Sequence, residues 1–169
     1  MSENSPEQSS TDKPRKELEQ ELKRLGRLST RGVLALSLFL VICILAWWDF
    51  PYLPQPDAVT SVIGAPPCAR LISIALIIYA FSAIILSLCR MAQGVEHRSS
   101  FCHVGYLTAF FLFYYFSKAL QQNFWAVFGA GITILGIESY RIWNHCAERI
   151  LKVKENIEFL NRNGRLPPQ

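Results

Sequence analysis

One carboxylate stands inside the most apolar stretches of this 169-residue chain. Glu138 is followed by Arg141 three residues on and His145 seven residues on. On a helix these three share a face with Gly131 and Ile134. An acid so placed can take up a proton or hold a polar headgroup. The alternative is a Glu138–Arg141 pair that neutralises itself at an interface. A second polar set is His103, Tyr106, Tyr114, Ser117 and Gln121. With Phe110 these step by three or four and fall within one narrow arc of a helix. Such an arc could line a groove for a quinone or a proton route, with His103 as a hydrogen-bond donor. It could equally hold neighbouring helices together in lipid, at about 1 kcal/mol or less per group. His103, Tyr106, Tyr114, Glu138 and Arg141 therefore form the candidate quinone-binding face. Spacing alone assigns none of them a catalytic role.

Other chemistries find less support. A membrane haem calls for two axial imidazoles, and the three histidines, His97, His103 and His145, follow no span-to-span pattern. The five cysteines (Cys43, Cys68, Cys89, Cys102 and Cys146) contain no C-x-x-C pair. No metal site and no disulfide framework is expected from them. They read as small apolar filler, with Cys89 or Cys102 open to acylation. Phosphate-loop, nucleophile, zinc-protease and nucleic-acid motifs are missing from the sequence, so no nucleic-acid partner is expected.

The elements that must position these groups follow from where charge is excluded. Four windows, 32–48, 71–89, 101–117 and 124–140, hold among them a single Asp, Glu, Lys or Arg, which is Glu138, although the chain carries 30 such residues. A soluble core does not sort charge along the chain in this way. A bilayer core of about 30 Å needs about 20 apolar residues per helix, and backbone in lipid must bond to itself. The windows therefore predict an all-α polytopic membrane protein, a four-helix transmembrane bundle with spans near 32–48, 70–90, 101–120 and 124–143. Fifteen of the 17 Lys and Arg fall in the N-terminal segment, the loop between spans two and three, and the C-terminal tail. The positive-inside rule then places both termini in the cytoplasm. Trp125 and Trp143 lie 18 positions apart, or about 27 Å of helix, which suits two interfacial aromatic belts.

Outside the spans, 1–14 is polar and Ser-rich and is expected to be disordered. Leu18, Leu22, Leu25 and Leu28 mark a cytoplasmic amphipathic helix over 15–30, ahead of the membrane domain 31–143. A second covers 144–163, on a stripe of Trp143, Ala147, Ile150, Ile157 and Leu160. It stops near Asn163-Gly164, leaving 164–169 as a tail. These helices can pair with each other, lie on lipid, or dock a protein partner or a second copy. Five prolines break the loop after span one, where Asp57 is placed to cap one short helical turn ending at Ile63. Ser73, Ala80 and Ser87 recur every seven residues and, like Gly129, Gly131 and Gly136, read as close-packing positions.

Two stretches, HVGYLTAFFLFYYFSKALQQNFWAVF (103–128) and GAGITILGIESYRIW (129–143), resemble those of small bacterial four-span membrane proteins labelled menaquinol oxidoreductase. The resemblance implies a bacterial inner-membrane location and a menaquinone-linked role. The sequence contains no haem, flavin or iron–sulfur motif, so such a role would be that of a subunit passing electrons elsewhere. From the residues, the first expectation is a non-catalytic accessory or anchoring protein that docks a partner through its cytoplasmic helices. The alternative is a quinol-binding oxidoreductase subunit.

Overall fold

The computed structural model describes residues 6–92 and 100–163. Outside them lie 1–5 of the segment expected to be disordered, 93–99 with His97 and Arg98, and 164–169, expected as a tail. All regular structure among the described residues is helical: α1 Pro6–Trp47, α2 Pro56–Ile63, α3 Ala69–Ala92, α4 Ser100–Phe116 and α5 Leu120–Asn163. The chain is all-α. Two helical stretches, Arg15–Trp47 and Ala69–Arg90, are long and apolar enough to cross a membrane, and α4 adds a shorter apolar run, Phe101–Phe116.

Several boundaries differ from those read in the sequence. Helix begins at Pro6, inside the segment expected to lack structure. Proline at a first helical position forfeits no backbone bond, and its φ is already helical. The amphipathic segment 15–30 and the apolar window after it are one helix, which Gly26 and Gly32 weaken but no proline interrupts. The same holds for 124–143 and 144–163, which run together as the 44-residue α5. Span three, expected to reach 120, stops at Phe116, and Leu120 already belongs to α5.

Two of the apolar helices end in the same way. At the end of α4, Lys118 N–H donates to Tyr115 O at 3.0 Å and Ala119 N–H to Tyr114 O at 2.9 Å. At the end of α1, Asp49 N–H donates to Ala46 O at 3.0 Å and Phe50 N–H to Leu45 O at 2.9 Å. Both are Schellman closures that satisfy the last carbonyls and need a left-handed residue. That residue is Lys118 (φ 55°) in one and Asp49 (φ 57°) in the other, with Phe50 (φ 47°) also left-handed. The loop after α1 carries α2, whose N-cap is Gln55 with Pro56 following; Asp57 is in the first turn and is not the cap. Its carboxylate instead meets Lys118 Nζ at 2.7 Å, while Tyr115 Oη donates to Pro54 O at 3.2 Å.

Two compact units divide the chain. The larger, Gly32–Arg141, packs segments of the four long helices α1, α3, α4 and α5, each antiparallel to the next of these, with the short α2 between the first two. α1 and α5 meet at Trp47 against Phe124 (ring centroids 5.2 Å apart) and at Phe39 against Gly131. A Cβ on Gly131 would fall within the Phe39 ring. α1 also stacks on α4 through Phe39 and Phe111. The core is Phe39, Leu107, Phe111, Tyr114 and Val127, all fully buried. The outward side of α3 is the reverse: Leu71, Ile74, Ile77, Ile78, Phe81 and Ile85 are all exposed.

The smaller unit joins the residues up to Arg31 with those from Ile142 onward. Leu25 is buried on the first segment, and Cys146, Val153 and Leu160 on the second. The expected stripe of the second segment holds at its end, where Leu160 is buried and Ile150 and Ile157 are half-buried, but its start is displaced by one position. Trp143 and Ala147 are exposed, and Ile142 and Cys146 are inside. The reason is period: Ile142, Cys146, Val153 and Leu160 advance by four, seven and seven, which keeps a seam on one side of a helix. Burial pushes the Cys146 thiol up from its ordinary pKa.

Candidate functional site

Glu138 lies within the larger unit and is 2% exposed. A buried carboxylate persists only where hydrogen bonds or opposite charge hold it. His103 of α4 supplies such a contact, with Nε2 at 3.2 Å from Oε1 of Glu138. The other ring nitrogen, Nδ1, lies 2.7 Å from Tyr79 Oη on α3. Three helices thus contribute to one connected line: phenol, imidazole, carboxylate. Arg141, also buried, follows Glu138 by three residues on the same helix.

Helix geometry explains why these residues converge. Val104, Leu107, Phe111 and Tyr114 step along the buried side of α4. His103, Phe110 and Tyr106 are offset from that line and gather on one residue of α3. The Tyr79 ring centroid is 6.0 Å from His103, 5.6 Å from Tyr106 and 5.6 Å from Phe110. Tyr106 keeps 58% of its surface exposed, so the aromatic group is open on its outer side while Glu138 closes its inner end.

The arc read in the sequence is therefore realised over half its length. Tyr114 is separated from His103 by eleven residues, about 16 Å along a helix. It is fully buried, with its hydroxyl 2.8 Å from Ser73 Oγ. Ser73 Oγ donates to Ala69 O, so Tyr114 is the donor to Ser73. Ser117 falls in the turn after α4 and bonds Tyr114 O. Gln121 is on α5 and exposed. The structure brings His103, Tyr106 and Glu138 together with Arg141 near by, and sets Tyr114, Ser117 and Gln121 apart. His145 belongs to the smaller unit.

Tyr79 is the residue that spacing analysis passed over. Its signal was present: one phenol in the middle of an aliphatic helix must find a hydrogen-bond partner when buried. The set fits a quinone headgroup in kind, since it joins hydroxyl and imidazole groups to the faces of Tyr79, Tyr106 and Phe110. No family model, curated protein sequence or solved structure matches the chain.

Proposed function

We propose that this chain is a four-span integral membrane protein whose Tyr79–His103–Glu138 line exchanges protons with a quinol headgroup, as the quinol-binding subunit of a menaquinol-linked respiratory oxidoreductase. The connected hydrogen bonds from Tyr79 to buried Glu138 carry the reading. Membrane placement is supported by the exposed apolar side of α3, where Leu71, Ile74, Ile77, Ile78, Phe81 and Ile85 all face outward. Only 22% of each spanning window is buried, unlike the core helix of a soluble protein. The Lys and Arg distribution supports cytoplasmic termini, and the resemblance in 103–143 implies a bacterial inner membrane.

Menaquinol, when bound, would supply two protons and two electrons; the electrons would leave to an acceptor carried by another subunit, and the line carries one of the two protons. The Tyr79 hydroxyl donates to His103 Nδ1 and keeps lone pairs to accept a hydrogen bond from a quinol hydroxyl. As that proton arrives at Tyr79, the Tyr79 proton moves to His103 Nδ1. The proton on His103 Nε2 then moves to Glu138 Oε1. Glu138 ends protonated, which removes its charge from the apolar interior. Tyr106 and Phe110 provide the apolar walls.

The test is solvent extraction of quinone from the full chain purified gently from its native membrane. The wild type should retain menaquinone near one per chain. Glu138→Gln, which keeps a carbonyl oxygen for His103 but cannot accept a proton, and Tyr79→Phe should each lose at least about tenfold. Undiminished retention in both variants overturns the relay. A second reading, the non-catalytic anchor that docks a partner, is favoured by the smaller unit, with its own buried seam and charged exterior. A quinone-free wild type that still co-purifies with a protein partner would select it.

A further inference from the structure

On α1, Gln20, Lys23, Arg24, Arg27, Leu28 and Arg31 line one open groove of about 390 Å³. That lies within the ~300–1,000 Å³ of small-molecule sites. Their positions step by three, one, three, one and three, the pattern of a single helix face. The four cations are exposed, and no carboxylate among the described residues pairs with them. Lys23, Arg27 and Arg31 are moreover i, i+4 neighbours, a like-charge spacing that disfavours a helix by about 0.2–0.5 kcal/mol per pair. A row of unpaired cations on one face calls for an anion. Elsewhere on the helix the cation Arg15 has one, Glu19 at 3.1 Å.

The place of the groove identifies the anion. Arg31 is followed at once by the apolar run that carries exposed Val33 and Leu34. The polar layer on each side of a bilayer is about 5–8 Å deep, and Arg27 to Arg31 covers about 6 Å of helix. We infer that this groove is a phosphate site that holds anionic phospholipid headgroups, with Arg27 and Arg31 at the phosphate level and Lys23 and Arg24 just outside it. Guanidinium groups suit this because each can bind phosphate oxygens through two parallel N–H bonds. A basic residue near an anionic membrane surface contributes about 1 kcal/mol. The inference rests on the membrane placement proposed above.

The test uses the full chain reconstituted in nanodiscs of mixed phosphatidylglycerol and phosphatidylcholine, with lipid enrichment around the protein read by native mass spectrometry. Arg27→Gln with Arg31→Gln is compared with Arg15→Gln with Lys16→Gln, an equal loss of charge on the same helix outside the groove. The groove pair should lower phosphatidylglycerol enrichment about tenfold or more, and the outer pair less than about twofold. Equal effects of the two pairs overturn the site. Displacement of phosphatidylglycerol by millimolar inorganic phosphate would show that the groove takes free phosphate, and the lipid assignment falls. Binding of polyglutamate by the wild type, with no lipid preference, would make the groove a face for an acidic protein and likewise overturn it. Alkaline carbonate extraction of the same proteins separates these outcomes from failure of the membrane placement, which would release all three into the supernatant.

Discussion

In the proposed relay, Tyr79, His103 and Glu138 differ in what each atom can donate or accept. Removing the Tyr79 hydroxyl costs one hydrogen bond, about 1 kcal/mol in a membrane helix pair. Tyr79→Phe should therefore unfold only slightly earlier in a detergent titration, while the proposed relay has it lose its quinone. A matched loss of both would make Tyr79 a packing residue. Lys118 holds a left-handed conformation that only glycine adopts without cost. Its ion pair with Asp57 is exposed on both sides and so contributes little. Lys118→Gly should raise stability by about 0.5–1 kcal/mol, read as a later midpoint in the same titration. For Cys146, burial raises the folded-state thiol pKa. The stabilisation tied to its neutral form is complete below the unfolded pKa of about 8.5 and is lost as pH rises above it. Replacement by serine should flatten the fall in stability above pH 8.5.

At the scale of elements, the helix pairings make sharper demands than the helix limits do. Gly131→Ala places a methyl in the Phe39 ring and should cost about 1–3 kcal/mol by overpacking. Phe39→Leu in the same chain should return much of that loss, a coupling that only direct contact produces. In the smaller unit, Leu25→Asp should open the buried seam, and maleimide should then label Cys146 many times faster. Much of this was legible beforehand. Charge exclusion marks the apolar stretches, and leucine spacing marks Leu18, Leu22 and Leu25, because both depend on local composition. The site was legible in part. Glu138 and His103 announce themselves as polar groups among apolar ones. Their pairing joins residues 35 positions apart on two helices, and Tyr79 sits on a third, so rotation and register between helices decide it. The one-position turn of the Ile142 and Cys146 stripe is a similar matter. A one-residue difference in where an apolar seam is read moves Trp143 from inside to outside.

For the molecule as a whole, the four-span proposal makes Cys68 the thiol on the outer face and Cys89 and Cys102 thiols near the inner one; all three are exposed. In single-cysteine variants, a membrane-impermeant maleimide added to intact cells should label Cys68 and spare Cys89 and Cys102 until the membrane is opened. Labelling of Cys102 in sealed cells would reverse the orientation. The pairing of α1 with α5 also bears on how the chain is made. Phe39 and Trp47 meet Gly131 and Phe124, partners that the ribosome adds some eighty to ninety residues later. Contacts so distant along the chain form late. While those residues are still to be made, α1 therefore waits without its mate. A nascent chain stalled before Phe124 would leave Phe39 and Trp47 without the partners they meet on α5.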